Sequence, residues 1–320
     1  MKKKLKIGVL FGGKSAEHEV SLQSAKNVIK ALDKNKYTVI PIKIPKNGKF
    51  NFSLIKKVDV IFPVLHGPFG EDGSMQGLLK LTAVPYVGAN VLGSAVGMDK
   101  DVMKRLLRDA EIPIGKFLTF KTNNKINFSQ VKKELGLPLF IKPANMGSSV
   151  GVSKAKNEVE FKSSIKQAFE FDNKVIVEEF INGREIECAI LGNEHPMASI
   201  PGEIIANQEF YSYDAKYIDQ GSVAEIPAKL DKKTAKKIQE LAIKTFQVLN
   251  CEGLARVDFF LKKDGSIFVN EINTLPGFTN ISMYPKLWEE SGLPQTKLLD
   301  RLIDLAKERF NKEKKLKTTI

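Results

Sequence analysis

The chain has 320 residues, of which only two are cysteine, one is tryptophan and three are histidine. Cys188 and Cys251 stand far apart with no C-x-x-C, which excludes a disulfide scaffold. They read as buried free thiols in a cytoplasmic protein. Histidines so few, and none at metal-ligand spacing, argue against a zinc centre. No stretch approaches the roughly 18 apolar residues of a membrane-spanning helix. Met1-Lys2-Lys3-Lys4 resembles the start of a signal peptide, but the apolar run behind it is short and Gly12-Gly13-Lys14 interrupts it. No internal repeat is visible, which excludes a solenoid. Acidic residues are the other shortfall: 37 against 50 lysines and arginines, a net charge of +13. That balance raises the question of a polyanionic partner. Yet residues 1–6 hold four lysines and no acid, and residues 307–320 hold six bases and two acids, so the motif-free ends carry most of the excess. Solubility and loose polyanion sticking follow, without a specific nucleic-acid or membrane partner.

What is present is ordinary globular material, 42% hydrophobic and 27% charged, enough for two or three domains. In the first 90 residues, short apolar runs at 7–11, 37–42 and 58–64 alternate with a helical pattern over 18–32. This predicts a doubly wound parallel α/β unit, with ligands at the carboxyl ends of its strands. Two of those ends are rich in glycine and charge, at 12–17 and 66–73. Beyond residue 93 the pattern becomes α+β. A helix is expected over 100–110, strands at 117–120, 139–142, 151–154 and 175–179, and a helix over 158–171. Past Asn182-Gly183, strands are expected at 185–191, 255–261 and 267–272, with helices over 232–249 and 296–310. The domain boundaries expected are 1–92, 93–182 and 183–320.

Gly8-Val9-Leu10-Phe11-Gly12-Gly13-Lys14-Ser15 matches the G-x-x-x-x-G-K-[ST] phosphate loop, which would imply a P-loop NTPase acting through Lys14. The variable positions Val9, Leu10 and Phe11 read instead as the strand itself. The better reading is strand, glycine turn and helix start, with Glu17 in the first helical turn placed to grip an ammonium group.

Residues 256–273 carry the strongest local argument. Asp264-Gly265 predicts a two-residue hairpin turn with Lys263 facing Ser266. That register sets Asp258 opposite Glu271 and Arg256 opposite Asn273, all on one face. Facing carboxylates repel unless something compensates, and these hard oxygen donors suit Mg²⁺ bridging to phosphates. A second constellation runs from Lys142, at the end of an apolar strand, through Gly147-Ser148-Ser149-Val150-Gly151. Small residues there let backbone N–H groups approach phosphate oxygens; alone, the stretch is equally a flexible hairpin. A third, Val177-Glu178-Glu179-Phe180-Ile181-Asn182-Gly183, suits a hinge that reads a nucleotide base.

Taken in order, the lysine strand, Gly-Ser loop, glutamate hinge and Asp…Glu-x-Asn set resemble the ATP-grasp fold, in which two α+β lobes hold ATP between them. The motifs Gly12-Gly13-Lys14-Ser15-Ala16-Glu17, His66-Gly67-Pro68-Phe69-Gly70-Glu71-Asp72-Gly73, Met98-Asp99-Lys100, Tyr213-Asp214-Ala215-Lys216-Tyr217 and Asn273-Thr274-Leu275-Pro276-Gly277-Phe278-Thr279 narrow the resemblance to the D-alanine–D-alanine ligase family over nearly the whole chain.

That resemblance implies an N-terminal α/β domain followed by two ATP-grasp lobes, and an ATP-dependent joining of two D-alanines through an acyl phosphate for peptidoglycan synthesis. It implies Glu17 on the ammonium of the first D-alanine, with His66 orienting that substrate. Arg256 and the Gly277 N–H form the oxyanion hole. Ser282, Lys216 and the neighbouring Met283 meet the second D-alanine. Glu17, Ser148 and Tyr217 form a hydrogen-bonded set that closes the site. Lys100, Lys142, Lys216, Ser148 and Ser149 take the ATP phosphates. Glu178, Phe180, Ile181 and Phe210 take the base, Glu185 the ribose, and Phe260 belongs to the nucleotide site. Asp258, Glu271 and Asn273 bind two Mg²⁺, with Mn²⁺ as a substitute. A homodimer is implied too. Tyr217 matches the dipeptide-forming members, whereas Met283 departs from the leucine of some, which leaves D-serine as an alternative second substrate and D-lactate as a rarer one. His18 is expected to be structural and His195 to lie on the surface.

Overall fold

The computed structural model describes residues 3–205 and 223–317. Phe210, Tyr211, Tyr213, Lys216 and Tyr217 lie outside the described residues. Three sheets organise the chain, each built from a different part of it.

The first sheet is parallel, ordered β2-β1-β3, with β1 at Leu5–Gly12, β2 at Tyr37–Ile44 and β3 at Val60–Val64. Its central strand is apolar on both faces, as a parallel sheet between helix layers requires. Ile7 and Val9 pack with Ala25 and Val28 of α1 (His18–Ala31), while Leu10 packs on the other side with Ile42, Ile61 and Leu79 of α2 (Ser74–Leu81).

The second sheet is antiparallel, ordered β4-β7-β5-β6: β4 Phe117–Lys121, β5 Leu139–Pro143, β6 Ser153–Ala155 and β7 Lys174–Glu179. Leu139, Ile141, Val175 and Val177 face α5 (Phe128–Leu135) and α6 (Glu158–Ala168). Alternation puts Phe140, Lys142, Ile176 and Glu178 on the opposite face. The helix α6 stops three residues short of the expected end, where turns bond Glu170 N–H to the Gln167 carbonyl and Phe171 N–H to that of Ala168. Strand β6 starts two residues late because Val152 N–H closes a turn onto the Ser149 carbonyl.

The third sheet follows the order β11-β10-β8-β12-β13, with β9 also on β8. Its strands are β8 Arg184–Gly192, β9 Met197–Ala198, β10 Gly202–Ile205, β11 Val223–Glu225, β12 Gly253–Leu261 and β13 Ile267–Asn273. One face packs on α7 (Lys232–Val248) and on α4 (Lys100–Asp109), through Ile238, Phe246, Met103 and Leu107. Between α2 and α4 runs α3 (Val91–Met98), and the C-terminal end holds α8 (Met283–Glu290) and α9 (Gln295–Glu313). Short α2, α3, α5 and α8 escape sequence periodicity because eight residues give only two turns of pattern, and α3 is built largely of small residues.

The C-terminal helix joins the ends of the chain. Leu298, Leu302 and Leu305 of α9 share a core with Ile7, Phe62 and Val64. Buried Arg309 donates to the Tyr86 carbonyl at 2.8 Å and that of Gly88 at 2.5 Å, with its guanidinium 4.4 Å from the Tyr86 ring centroid.

Candidate active site

The decoy motif resolves first. Val9, Leu10 and Phe11 lie inside β1, paired with β2 and β3, so no phosphate loop exists there. The turn is Gly12-Gly13, both at positive φ, and the helix begins at His18 with Glu17 as its N-cap residue. Lys14 is exposed, 5.9 Å from the Phe69 ring centroid. His18 is buried, with Nδ1 2.7 Å from the Gly13 carbonyl, and stiffens this turn. His195 is exposed.

Glu17 is 7% exposed, and its carboxylate fits between two chain segments that must lack side chains. A Cβ on Gly67 would come within 2.7 Å of Glu17 Oε2, and one on Gly147 within 3.1 Å. The Ser148 hydroxyl donates to Glu17 Oε1. Ser148 and Ser149 both hold positive φ, a conformation that L side chains adopt at a cost and that functional loops retain.

His66 is buried with Nδ1 3.3 Å from Glu71 Oε1 and Nε2 3.4 Å from Ser24 Oγ. Burial, with Glu17 close by, pushes the Glu71 carboxyl up to about 7 despite His66. Burial opposes charge on His66 too, but Glu71 raises it above the ordinary imidazole value. Ser24 Oγ also accepts from Phe278 N–H at 3.2 Å. His66 is thereby tied to the loop that follows β13. In that loop Ser282 Oγ accepts from Thr279 N–H at 2.9 Å, and a Cβ on Gly277 would lie 2.9 Å from the same oxygen. Glu71 and Ser24 went unrecognised in the sequence; Glu71 sits in the His66–Gly73 motif, whereas nothing marks Ser24.

Between the second and third sheets is a cleft of about 310 Å³. Lys100, Lys142, Ser148, Ser149, Glu178, Phe180, Ile181, Glu185, Phe260 and Glu271 all line it, as do Phe140 and Asn270. Lys142 Nζ meets Glu178 Oε2 at 2.5 Å, and Glu178 raises the ammonium's pKa against the cost of burying it. Lys100 Nζ donates to the Met146 carbonyl at 2.6 Å and lies 4.0 Å from Glu271 Oε2. Phe180 stacks on Phe140 with centroids 6.0 Å apart, and Lys154 Nζ lies 4.7 Å from the Phe180 centroid.

The hairpin reaches the expected register by a different route. The turn is not two residues but three, Lys263-Asp264-Gly265, with Lys262 N–H bonded to the Ser266 carbonyl and Gly265 at φ +82°. That shifts the pairing by one residue near the turn. A bulge between Asp258 and Phe259 shifts it back, so Asp258 does face Glu271 and Arg256 does face Asn273. The extra residue is Asn270, and the bulge turns it and Glu271 to the cleft in succession.

The carboxylates are also compensated differently. Glu187, on β8, faces Asp258 from the other side, so Glu187, Asp258 and Glu271 form a row across three strands. Arg256 grips Asp258 with two hydrogen bonds of 2.7 Å, and its Nε lies 3.0 Å from Glu187 Oε2. Against the cost of burial, these two acids raise the guanidinium well above its ordinary value. Glu187 is invisible to sequence reasoning because only the β8–β12 pairing brings it there. Asn273 Oδ1 accepts from Leu275 N–H at 3.0 Å. Among the described residues no three His, Cys, Asp or Glu side chains converge as a metal cage. The two carboxylates and one amide on one face nevertheless fit a hard cation shared with phosphates.

Met283 follows Ser282 as the first residue of α8. It is 4% exposed and belongs to the core beneath α8, where a Cβ on Gly202 would come within 2.6 Å of its methyl.

Two family models cover most of the chain: "D-ala D-ala ligase N-terminus" matches residues 6–56 and 51–89, and "D-ala D-ala ligase C-terminus" matches 106–304. A D-alanine–D-alanine ligase of Oceanobacillus iheyensis is 51% identical, with 99% of each chain covered. Among solved structures, the VanG D-Ala:D-Ser ligase of Enterococcus faecalis superposes with a TM-score of 0.87 at 38% identity, covering 95% of this chain and all of that one. The D-alanine–D-alanine ligase of Bacillus anthracis complexed with ATP gives 0.84 at 33% identity, covering 97% and 99%.

Proposed function

The chain belongs to the D-alanine–D-alanine ligase family, and from that premise we propose how its cleft carries out the reaction. The protein joins two D-alanine molecules at the expense of ATP. The chemistry is set by one difficulty: a carboxylate is a poor electrophile at neutral pH. Phosphorylating it makes an acyl phosphate with a good leaving group, and that transfer needs crowded negative charge to be clamped.

Glu17 holds the ammonium of the first D-alanine, and the His66–Glu71 pair orients that substrate. Lys100, Lys142, Ser148 and Ser149 hold the ATP phosphates. Phe180, Ile181, Phe260 and Glu178 hold the base, and Glu185 the ribose. Asp258, Glu271 and Asn273 would hold Mg²⁺, which would neutralise phosphate charge when bound. Arg256 and the Gly277 N–H stabilise the oxyanion formed when the second amine attacks. Ser282 takes the carboxylate of the second D-alanine. The three sheets are read as three domains, at 1–92, 93–182 and 183–320, with α4 packing across onto the third sheet. The cell-wall role, the cytoplasmic site and the homodimer come with the family reading. Among the described residues no helix is long and apolar enough to cross a membrane.

One observation carries this reading. Ser148 lines the nucleotide cleft and bonds Glu17, so the ammonium site adjoins the phosphate site. Phosphate release from ATP should depend on D-alanine; D-alanine-independent turnover would overturn it. With D-alanine, D-serine and D-lactate offered together, D-alanyl-D-alanine should dominate. A dominant D-serine product would instead move the chain towards the specificity in VanG's name.

A further inference from the structure

Asn27 has no place in the roles above, yet it ties α1 to the loop that follows β13. Its amide nitrogen donates to the Phe278 carbonyl and to Asn280 Oδ1, each at 2.9 Å. One turn earlier, Ser24 Oγ accepts from Phe278 N–H at 3.2 Å. Residues three apart on a helix lie side by side, so this pair meets both backbone polar groups of a single residue. Phe278 is 1% exposed, with its ring edge-on to Phe62 and Tyr284 at 5.8 Å between centroids in each case. Backbone groups so enclosed need partners, and α1 supplies them.

The hold extends beyond Phe278. A peptide unit is planar and trans, so its C=O and N–H point in opposite directions and turn together. The Phe278 carbonyl and the Thr279 N–H belong to one such unit. Asn27 holds the carbonyl end. The N–H end donates to Ser282 Oγ at 2.9 Å, and Thr279 Oγ1 lies 2.8 Å from the same oxygen. A hydroxyl that accepts from a backbone N–H keeps its own hydrogen to donate. Ser24 holds the preceding unit by its N–H, and the carbonyl of that unit belongs to Gly277. Two successive peptide units after Gly277 are therefore set by α1. The same helix starts at His18 with Glu17 as its N-cap residue, about two turns before Ser24. One rigid element thus carries the ammonium site and fixes the loop of Gly277 and Ser282.

We propose that Asn27 is a positioning residue for the second D-alanine: from α1 it orients the peptide between Phe278 and Thr279, and through that peptide the Ser282 hydroxyl. The proposal rests on the reading that Ser282 takes the carboxylate of the second D-alanine.

Initial-rate kinetics that resolve the two D-alanine sites test it, with phosphate and dipeptide counted in the same reactions. Asn27 is half-buried and alanine suits a helix, so Asn27→Ala should fold. It should raise KM for the second D-alanine about 5-fold, the scale of one neutral hydrogen bond, and leave that for the first within about twofold. Below saturation, phosphate released per dipeptide should rise above one. Water then attacks the acyl carbon in place of the second amine, and D-alanine and phosphate leave. Asn27→Asp keeps the size but sets a carboxylate oxygen against the Phe278 carbonyl, so it should do at least as much. Asn280→Ala removes only the other bond of Asn27 and should do less.

Ser282→Ala should raise the second KM by itself, and adding Asn27→Ala should change it little, because the asparagine acts through Ser282. A second KM unmoved by Ser282→Ala would overturn the reading of Ser282. One moved by Ser282→Ala but by neither folded Asn27 variant would overturn the role of Asn27 alone. Equal shifts in both D-alanine KM values, a loss of urea stability with neither KM moved, or full additivity in the double variant would each count against the proposal. If Asn27→Ala does not fold, Asn27→Asp decides on the same readouts.

Discussion

Ser148 donates its hydroxyl to the carboxylate of Glu17, a residue 131 positions earlier in the chain. The bond joins the loop between β5 and β6 to the start of α1, and so ties the second sheet to the first. It also fixes one oxygen of Glu17 and leaves the other beside Gly67 and Gly147.

Glu17→Gln should raise KM for the first D-alanine by roughly 10- to 100-fold, because it removes a buried charge opposite an ammonium. Ser148→Ala should act in the same direction but less. Initial-rate kinetics that resolve the two D-alanine sites would check this; an unchanged KM in Glu17→Gln would remove it from the substrate site.

Gly67→Ala should damage the same site without touching a charge. Its Cβ would lie 2.7 Å from Glu17 Oε2, and its φ of +73° suits glycine. We expect a loss of stability of about 1–2 kcal/mol from backbone strain alone, with a D-alanine KM shift beyond it. Urea unfolding read beside kinetics separates the two effects, and wild-type behaviour in both would contradict the packing described.

Lys142→Ala and Lys14→Ala distinguish the cleft from the decoy motif. Lys142 is half-buried beside Glu178 and lines the cleft, whereas Lys14 is exposed. Nucleotide KM should rise at least about 10-fold in the first variant and stay within roughly threefold in the second. The reverse pattern in ATP titrations would restore the P-loop reading.

Glu178 should leave a mark on acid stability. Burial alone would raise its carboxyl, but Lys104 and Lys142 hold it down to about 2 from the usual 4.5. Between those values the unfolded chain binds the proton and the native chain does not, so native stability falls as pH drops through that window. Glu178→Gln lacks this group, so its stability should fall less steeply there, and the two curves should run parallel above about pH 5. Urea unfolding midpoints from pH 3 to 7 measure it, and equal acid slopes would show that the lysines do not hold the carboxylate.

The hairpin shows how far local rules reach. Asp264-Gly265 correctly marks a turn, and Asp258 does face Glu271, but a three-residue loop and a compensating bulge produce that pairing together. A bulge is set by what the strand packs against, which periodicity does not encode.

By itself the sequence determined the strand and helix types, the glycine turns, and the side chains with phosphate- and ammonium-binding chemistry. These follow from rules that act over a few residues: alternation, helical spacing and the conformational freedom of glycine. Tertiary structure alone decided which of them share a charge. Lys104 meets Glu178 because α4 packs against two sheets at once, and Glu187 meets Arg256 because β8 pairs with β12. Both pairs join segments about 70 residues apart. A buried charge is stabilised by whatever lies within a few ångströms of it, and the folded chain chooses those neighbours without regard to sequence distance.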